Sequence, residues 1–239
     1  MLPIRENEIL IPKYLEKEEL HLFLETARVH GLDRDYEIFH TLAYTGIRVG
    51  ELCALMDSAA NAKESTIKIN KTLYNPNNNS TQYVLNTPKT KSSIREIIVD
   101  EEVINNITNL QKYNEMEKAI KKEAYHDHGF IFCKRGQFAG YPEVIKMIQL
   151  RMARLLRIAG LSLELTPHSL RHTHTSLCAE AGVSLEQIME RLGHKDDKIT
   201  KTIYLHITKP KKKEASQKFT ELMRGLKNDS NVNKSLTTE

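Results

Sequence analysis

Residues 166–194 read TPHSLRHTHTSLCAEAGVSLEQIMERLGH, and the punctuation of this stretch decides the architecture of the carboxyl third of the chain. Thr166 followed by Pro167 matches an N-cap with proline at the first helical position, where the missing N–H costs nothing. Gly182 marks the end of that helix. Ser184, with Gln187 three residues on, forms a capping box for a shorter helix that stops at Gly193. A further helix holding Ile199, Ile203, Tyr204 and Ile207 can start near Asp196 or Asp197 and is interrupted by Pro210. Lys211 to Leu226 carries one more amphipathic stripe, Ala215, Phe219, Leu222, Met223 and Leu226, and the polar stretch 227–239 reads as a disordered tail.

Working outward, helical periodicity also dominates the amino-terminal part. Leu20, Phe23, Leu24 and Ala27 form a stripe from about residue 14 to 29, and a second helix over about 34–44 carries Ile38, Leu42 and Tyr44 until Gly46 breaks it. A third helix is expected from about Arg48, with Leu52, Leu55 and Met56 on one side and Glu51 nearly a turn beyond Arg48. Between residues 65 and 99 the pattern changes to runs rich in β-branched and aromatic residues, Thr66–Tyr74, Thr81–Leu85 and Ile94–Val99, which fit three antiparallel strands. The polar connection Asn86–Ser93 contains Pro88 and places Lys89 at a hairpin tip. Helices follow over about 101–122 and 142–159, the second closed by Gly160. The fold class is therefore mixed α+β, mainly α-helical, with a small three-stranded antiparallel sheet.

With 239 residues and 40% apolar content the chain can bury a core of its own. Thirty-five basic against 31 acidic residues leave a net charge of +4, which suits a polyanionic partner only if it gathers on one face. No apolar run reaches the ~20 residues of a membrane span, and the first ten residues lack the layout of a signal peptide, so a cytoplasmic protein is expected. Cys53, Cys133 and Cys178 lack ligand spacing and read as reduced thiols.

Four short motifs can carry chemistry. Thr45-Gly46-Ile47-Arg48-Val49-Gly50-Glu51-Leu52 sets an arginine just after a glycine turn at a helix start, a phosphate-compatible setting, although an Arg48–Glu51 surface pair explains the octamer equally well. His168 and Arg171 share a face in the first turns of a capped helix and can reach one anion together. His194 directly follows a helix-ending glycine, and Tyr204 comes ten positions later on a short basic helix. His172 and His174 are expected to point away from His168. Tyr44, Tyr83 and Tyr141 read as packing residues, and metal binding by His126 and His128 is only a weak option.

In order and spacing, Arg48 within TGIRVGEL, Lys89 within TPKTKSSIREI, HSLRHT at 168–173, LGH at 192–194 and Tyr204 resemble the motif set of the tyrosine recombinases. The hairpin is similar to that of integrases from phages and integrative elements of Gram-positive bacteria. The resemblance runs from about Ile11 to Ile207 and implies a tyrosine recombinase catalytic domain over 13–208, after a lead-in at 1–12. It further implies a helix over 209–226 that docks in cis or on a neighbouring protomer. Members of this kind carry a core-binding domain and often an arm-binding domain ahead of the catalytic one, so a catalytic fragment is expected.

The implied activity is site-specific DNA recombination, in integration and excision, through a 3′-phosphotyrosine at Tyr204. Arg48 and Arg171 match phosphate geometry with planar forks, and His168 and His194 donate further hydrogen bonds, His168 also accepting the tyrosine proton. Lys89 is the implied general acid, and Glu51 orients Arg48 or buttresses the wall. Lys91, Arg95, Lys195, Lys198 and Lys201 are expected to bind DNA. No metal or other cofactor is implied. The implied partners are double-stranded DNA, recombinase protomers in a tetramer on it, and accessory DNA-bending or directionality factors, inside a bacterial host cell. A type IB topoisomerase and a non-enzymatic DNA-binding module are the rival classes.

Overall fold

The computed structural model describes residues 13–88, 93–194 and 196–209, together with 217, 219–221 and 223. Helix α2 (Asp35–Thr45) is the axis around which the rest is arranged, because it is buried on nearly every side. It packs against α1 (Lys17–His30), α4 (Glu101–Lys121) and α6 (Pro167–Glu180), and α5 (Ile145–Ile158) closes the bundle against α1 and α6. Phe23, Phe39, Leu42, Leu52, Ile107 and Ile148 are among the side chains that fill the space between them. Four polar residues of α2, Asp35, His40, Thr41 and Thr45, lie in this interior. Asp35 pairs with Arg151 and accepts a hydrogen bond from the Leu32 N–H, while His40 is stacked between Tyr36 and Tyr44.

The cap signals locate helix ends well. Ser169 Oγ accepts the Thr166 N–H at the start of α6 (3.1 Å), and Ser184 and Gln187 bond reciprocally at the start of α7 (Leu185–Leu192). Asp197 Oδ2 accepts the Thr200 N–H, so it caps α8, helical over 198–209. Ala179, Ile188 and Leu192 make a second, small apolar cluster on which Tyr204 and Ile207 rest. Pro210 and most of the expected helix to Leu226 lie outside the described residues; of its stripe, Phe219 and Met223 are exposed.

Two expectations need correction. Helix α3 (Val49–Cys53) has only five residues, because Leu55 and Met56 are drawn into extended pairing with Phe130 and Ile131 instead of continuing the turn. The run Thr66–Tyr74 is not one strand but two, β2 (Thr66–Ile69) and β3 (Thr72–Tyr74). The three-stranded antiparallel sheet is built from β1 (Ala60–Asn61), β2 and β5 (Arg95–Ile98), whereas β3 forms a separate hairpin with β4 (Val84–Asn86). In β2 and β5 the alternation turns Ile67, Ile69 and Ile97 inward, and Arg95 faces inward with them, paired in register with Ile69.

Candidate active site

The turn that ends α2 sets the site. Gly46 adopts φ +65° and donates its N–H to the Leu42 carbonyl; a Cβ there would lie 2.7 Å from both His174 Cδ2 and Leu192 Cδ2, so only glycine fits. Two residues later Arg48 is the N-cap of α3. Glu51, in the first turn, accepts both the Arg48 N–H and its Nη1 at 2.9 Å. The Glu51 carboxylate is 3% exposed and is gripped from its other side by Arg95 Nη1 and Nη2, at 3.2 and 2.9 Å. Burial alone would raise its pKa, but the hydrogen bonds and charge of Arg95 and Arg48 hold it below the usual carboxylate range.

From the other wall comes Arg171, 2% exposed on α6. Its Nη1 donates to the Gly46 carbonyl at 2.6 Å, and its Nη2 to the Leu192 carbonyl at 2.7 Å. The two guanidiniums converge on one atom: His194 Nε2 lies 2.7 Å from Arg48 Nη2 and 2.8 Å from Arg171 Nη2. Arginine nitrogens only donate, so this nitrogen is the acceptor and the proton sits on Nδ1, which faces Asp197 Oδ2 at 3.2 Å and Thr200 Oγ1 at 3.3 Å. His194 is thus a neutral acceptor here, where a phosphate donor was expected. Burial and then the charge of Arg171 push its pKa down to about 4. Burial and the nearby Arg48 charge likewise push Arg171 down to about 9.

His168, on α6 with Arg171, lies within reach of the Arg171 and Arg48 charges. Its side chain reaches solvent, yet desolvation of the ring and the charges of Arg171 and Arg48 lower its pKa. His172, expected to point away, abuts it edge-on with ring centroids 4.6 Å apart; its spacing of four from His168 on a helix was the signal. His174 does leave the site. It is buried, with Nδ1 donating to the Ala43 carbonyl (2.9 Å) and Nε2 accepting from Arg191 Nε (3.1 Å).

Among the expected DNA-binding residues, Arg95 is a correction. Its fork is spent on Glu51, and it donates besides to the Arg191 and Ser93 carbonyls, which makes it a wall residue. Its place on the inward face of β5, in phase with Ile97, could have revealed this. Lys198 is exposed and Lys201 pairs with Asp196. Lys89, Lys91 and Lys195 lie outside the described residues. Tyr204 is half-buried on α8 against the small apolar cluster, and its hydroxyl hydrogen-bonds to none of the described residues. The structure joins Arg48, Arg171 and His194 directly, brings His168 within reach of the Arg171 and Arg48 charges, and packs Tyr204 on the apolar cluster that includes Leu192. Asp197, Thr200 and Arg191 are supports that sequence reasoning did not single out. Far from this site His126 Nε2 and His128 Nδ1 both lie 2.8 Å from Tyr83 Oη, and Tyr141 stacks on His126. Tyr44 is 42% exposed, so its expected core packing is only partial.

This fold is that of a tyrosine recombinase catalytic domain. The integrase of transposon Tn1549, solved in complex with transposon right-end DNA, superposes with a TM-score of 0.71 over 88% of this chain and 68% of that one; at 22% identity the likeness is one of fold. Residues 13–211 match the model of the phage integrase family, and the chain belongs to that family. It is 34% identical to the integrase of Staphylococcus phage L54a over 183 residues, 76% of this chain and 50% of that protein. With the ICEBs1 integrase of Bacillus subtilis (strain 168) it shares 29% over 192 residues, 79% and 49% of the two chains. The chain spans about half the length of the curated relatives it matches.

Proposed function

We propose that this chain is the catalytic domain of a site-specific DNA recombinase that cleaves and rejoins strands through a 3′-phosphotyrosine at Tyr204. The observation that carries this is the convergence of Arg48 and Arg171 on His194 Nε2. Around that point stand three guanidiniums, of Arg48, Arg95 and Arg171, against the two carboxylates of Glu51 and Asp197. One positive charge is left over, and a phosphodiester carries one negative charge. A phosphate seated there meets preorganised donors at the oxygens where charge grows during attack.

On this reading the Tyr204 oxygen attacks phosphorus as His168 takes the phenolic proton, and the 5′ oxygen leaves with a proton from Lys89. Rejoining is the reverse, with a 5′ hydroxyl as the nucleophile. The phosphotyrosine retains the energy of the broken bond, so no high-energy cofactor is needed. Lys198 and Lys201 on α8, with Lys91 and Lys195, supply backbone contacts to DNA. The domain spans 13–208, and the segment 209–226 docks on its own domain or on a neighbouring protomer of a DNA-bound tetramer. In the bacterial cell such a protein works in the cytoplasm, where the DNA is.

The test is a nicked suicide duplex bearing the DNA ends of the element that encodes this chain, scored for a covalent adduct on a denaturing gel. The unaltered chain should give an adduct and Tyr204→Phe none, with DNA affinity retained. An adduct with Tyr204→Phe would move the nucleophile elsewhere, and none with either protein would reject the reading.

A further inference from the structure

We propose that Arg191 is a positioning residue of this site, fixing the spacing between the turn that carries Arg48 and the segment that carries His194; the proposal rests on the phosphate-site reading above. Arg191 closes α7, and its guanidinium spreads over three acceptors from three other elements. Nη1 donates to the Ile98 carbonyl at the end of β5 (2.7 Å) and Nη2 to the Tyr44 carbonyl in the last turn of α2 (3.2 Å). Nε donates to His174 Nε2 on α6 (3.1 Å), and that ring is anchored in turn on the Ala43 carbonyl. The His174 nitrogen is an acceptor only in the neutral ring, and burial with the Arg191 charge pushes the His174 pKa down to about 4.

What Arg191 holds is the framework of the site rather than the site itself. Its own carbonyl accepts from Arg95 Nε (2.7 Å), the next carbonyl, of Leu192, accepts from Arg171 Nη2, and His194 follows two residues later. On the opposite side Tyr44 lies two residues before Gly46, whose carbonyl takes Arg171 Nη1, and four before Arg48. Both segments are therefore tied to one guanidinium. There is no slack between them, since the His174 ring and the Leu192 methyl already fill the space beside Gly46. A lysine keeps the charge at 191, but its three N–H donors all leave one nitrogen and cannot span acceptors that are served by three separate guanidinium nitrogens.

The experiment compares the full chain with Arg191→Lys and with Val103→Ala, a core truncation on α4 that lowers stability without touching this framework. Three quantities are read: the single-turnover adduct rate on saturating nicked duplex, the DNA affinity, and the ring nitrogen resonances of His194 in DNA-free protein. Arg191→Lys should slow adduct formation roughly 10- to 100-fold, as expected for a reacting group displaced by roughly 1 Å. Its DNA affinity should hold, and the His194 Nε2 resonance should move off its wild-type position. Val103→Ala should keep the wild-type His194 resonance. The milder His174→Asn retains a donor for Ala43 and removes the acceptor for Arg191, so it should shift rate and resonance in the same direction by less. The proposal is overturned if Arg191→Lys matches Val103→Ala in both readouts, if affinity falls instead of rate, or if His174→Asn changes neither. Should the unaltered chain form no adduct, the phosphate-site reading fails, and the His194 resonance still decides on Arg191.

Discussion

The two halves of the proposed chemistry are held in opposite ways. Arg48, Arg171 and His194 are fastened by direct hydrogen bonds to one another, to the Gly46 and Leu192 carbonyls, and to a buried carboxylate that Arg95 grips from behind. Tyr204 has only apolar contact with a small cluster of Ala179, Ile188 and Leu192. The proposed phosphate-binding wall is thus prepared before any ligand arrives, whereas Tyr204, the proposed nucleophile, rests on a small apolar seat. Preorganised donors need no rearrangement at the moment of reaction, and that is where electrostatic catalysis gains most.

The largest effect should come from breaking the wall at its hidden centre. Glu51→Gln leaves Arg48 and Arg95 without the buried carboxylate between them, and removing one partner of a buried pair costs about 3–5 kcal/mol. Chemical denaturation should show a loss of that size. A loss below about 1 kcal/mol would mean the carboxylate is no more than a surface ion pair.

A smaller effect sharpens the contrast from the other side. Ile188→Ala should cost about 2 kcal/mol, the low end for a buried aliphatic truncation, because its cluster is small and partly collapsible. Leu42→Ala, in the main core, should cost nearer 4 kcal/mol. Hydrogen exchange should quicken selectively over 198–209 in Ile188→Ala while the His194 ring signals stay in place. Equal quickening in α6 and α8 would show that the nucleophile's helix is no looser than the wall.

A further effect is one of acidity. His172, His174 and His194 all titrate at about 4 in the folded protein, below the usual histidine value, chiefly because of burial. Protons therefore bind the unfolded chain first as pH drops. The stability these neutral rings contribute is complete above the ordinary histidine pKa of ~6.5 and is lost as pH falls from there toward about 4. The thermal midpoint should decline over that window, and His174→Asn should shallow the decline. A midpoint flat across it would show that these rings are not buried neutral.

Much of this molecule is written locally. Thr166-Pro167, Ser184 with Gln187, Asp197, Gly46 and Gly193 mark helix ends through hydrogen bonds and dihedral angles that involve residues at most four apart, so the sequence alone places α1, α2 and α4 to α8 and the order of the motifs on them. Arg95, expected to bind DNA, is buried, and its phase with Ile97 was a signal that the sequence reading did not use. Tertiary structure decided the rest. Which strands pair in which sheet, which nitrogen of His194 holds the proton, and how Arg171 and Arg191 spend their donors depend on partners in other elements, some of them nearly 150 residues away, such as Tyr44, 147 residues from Arg191. Most of those partners are backbone carbonyls, and every residue has one, so nothing in the sequence marks Gly46, Leu192, Tyr44 or Ile98 as the acceptors. The seat of Tyr204 has the same origin, because the apolar cluster of Ala179, Ile188 and Leu192 comes into being only when α6 and α7 meet.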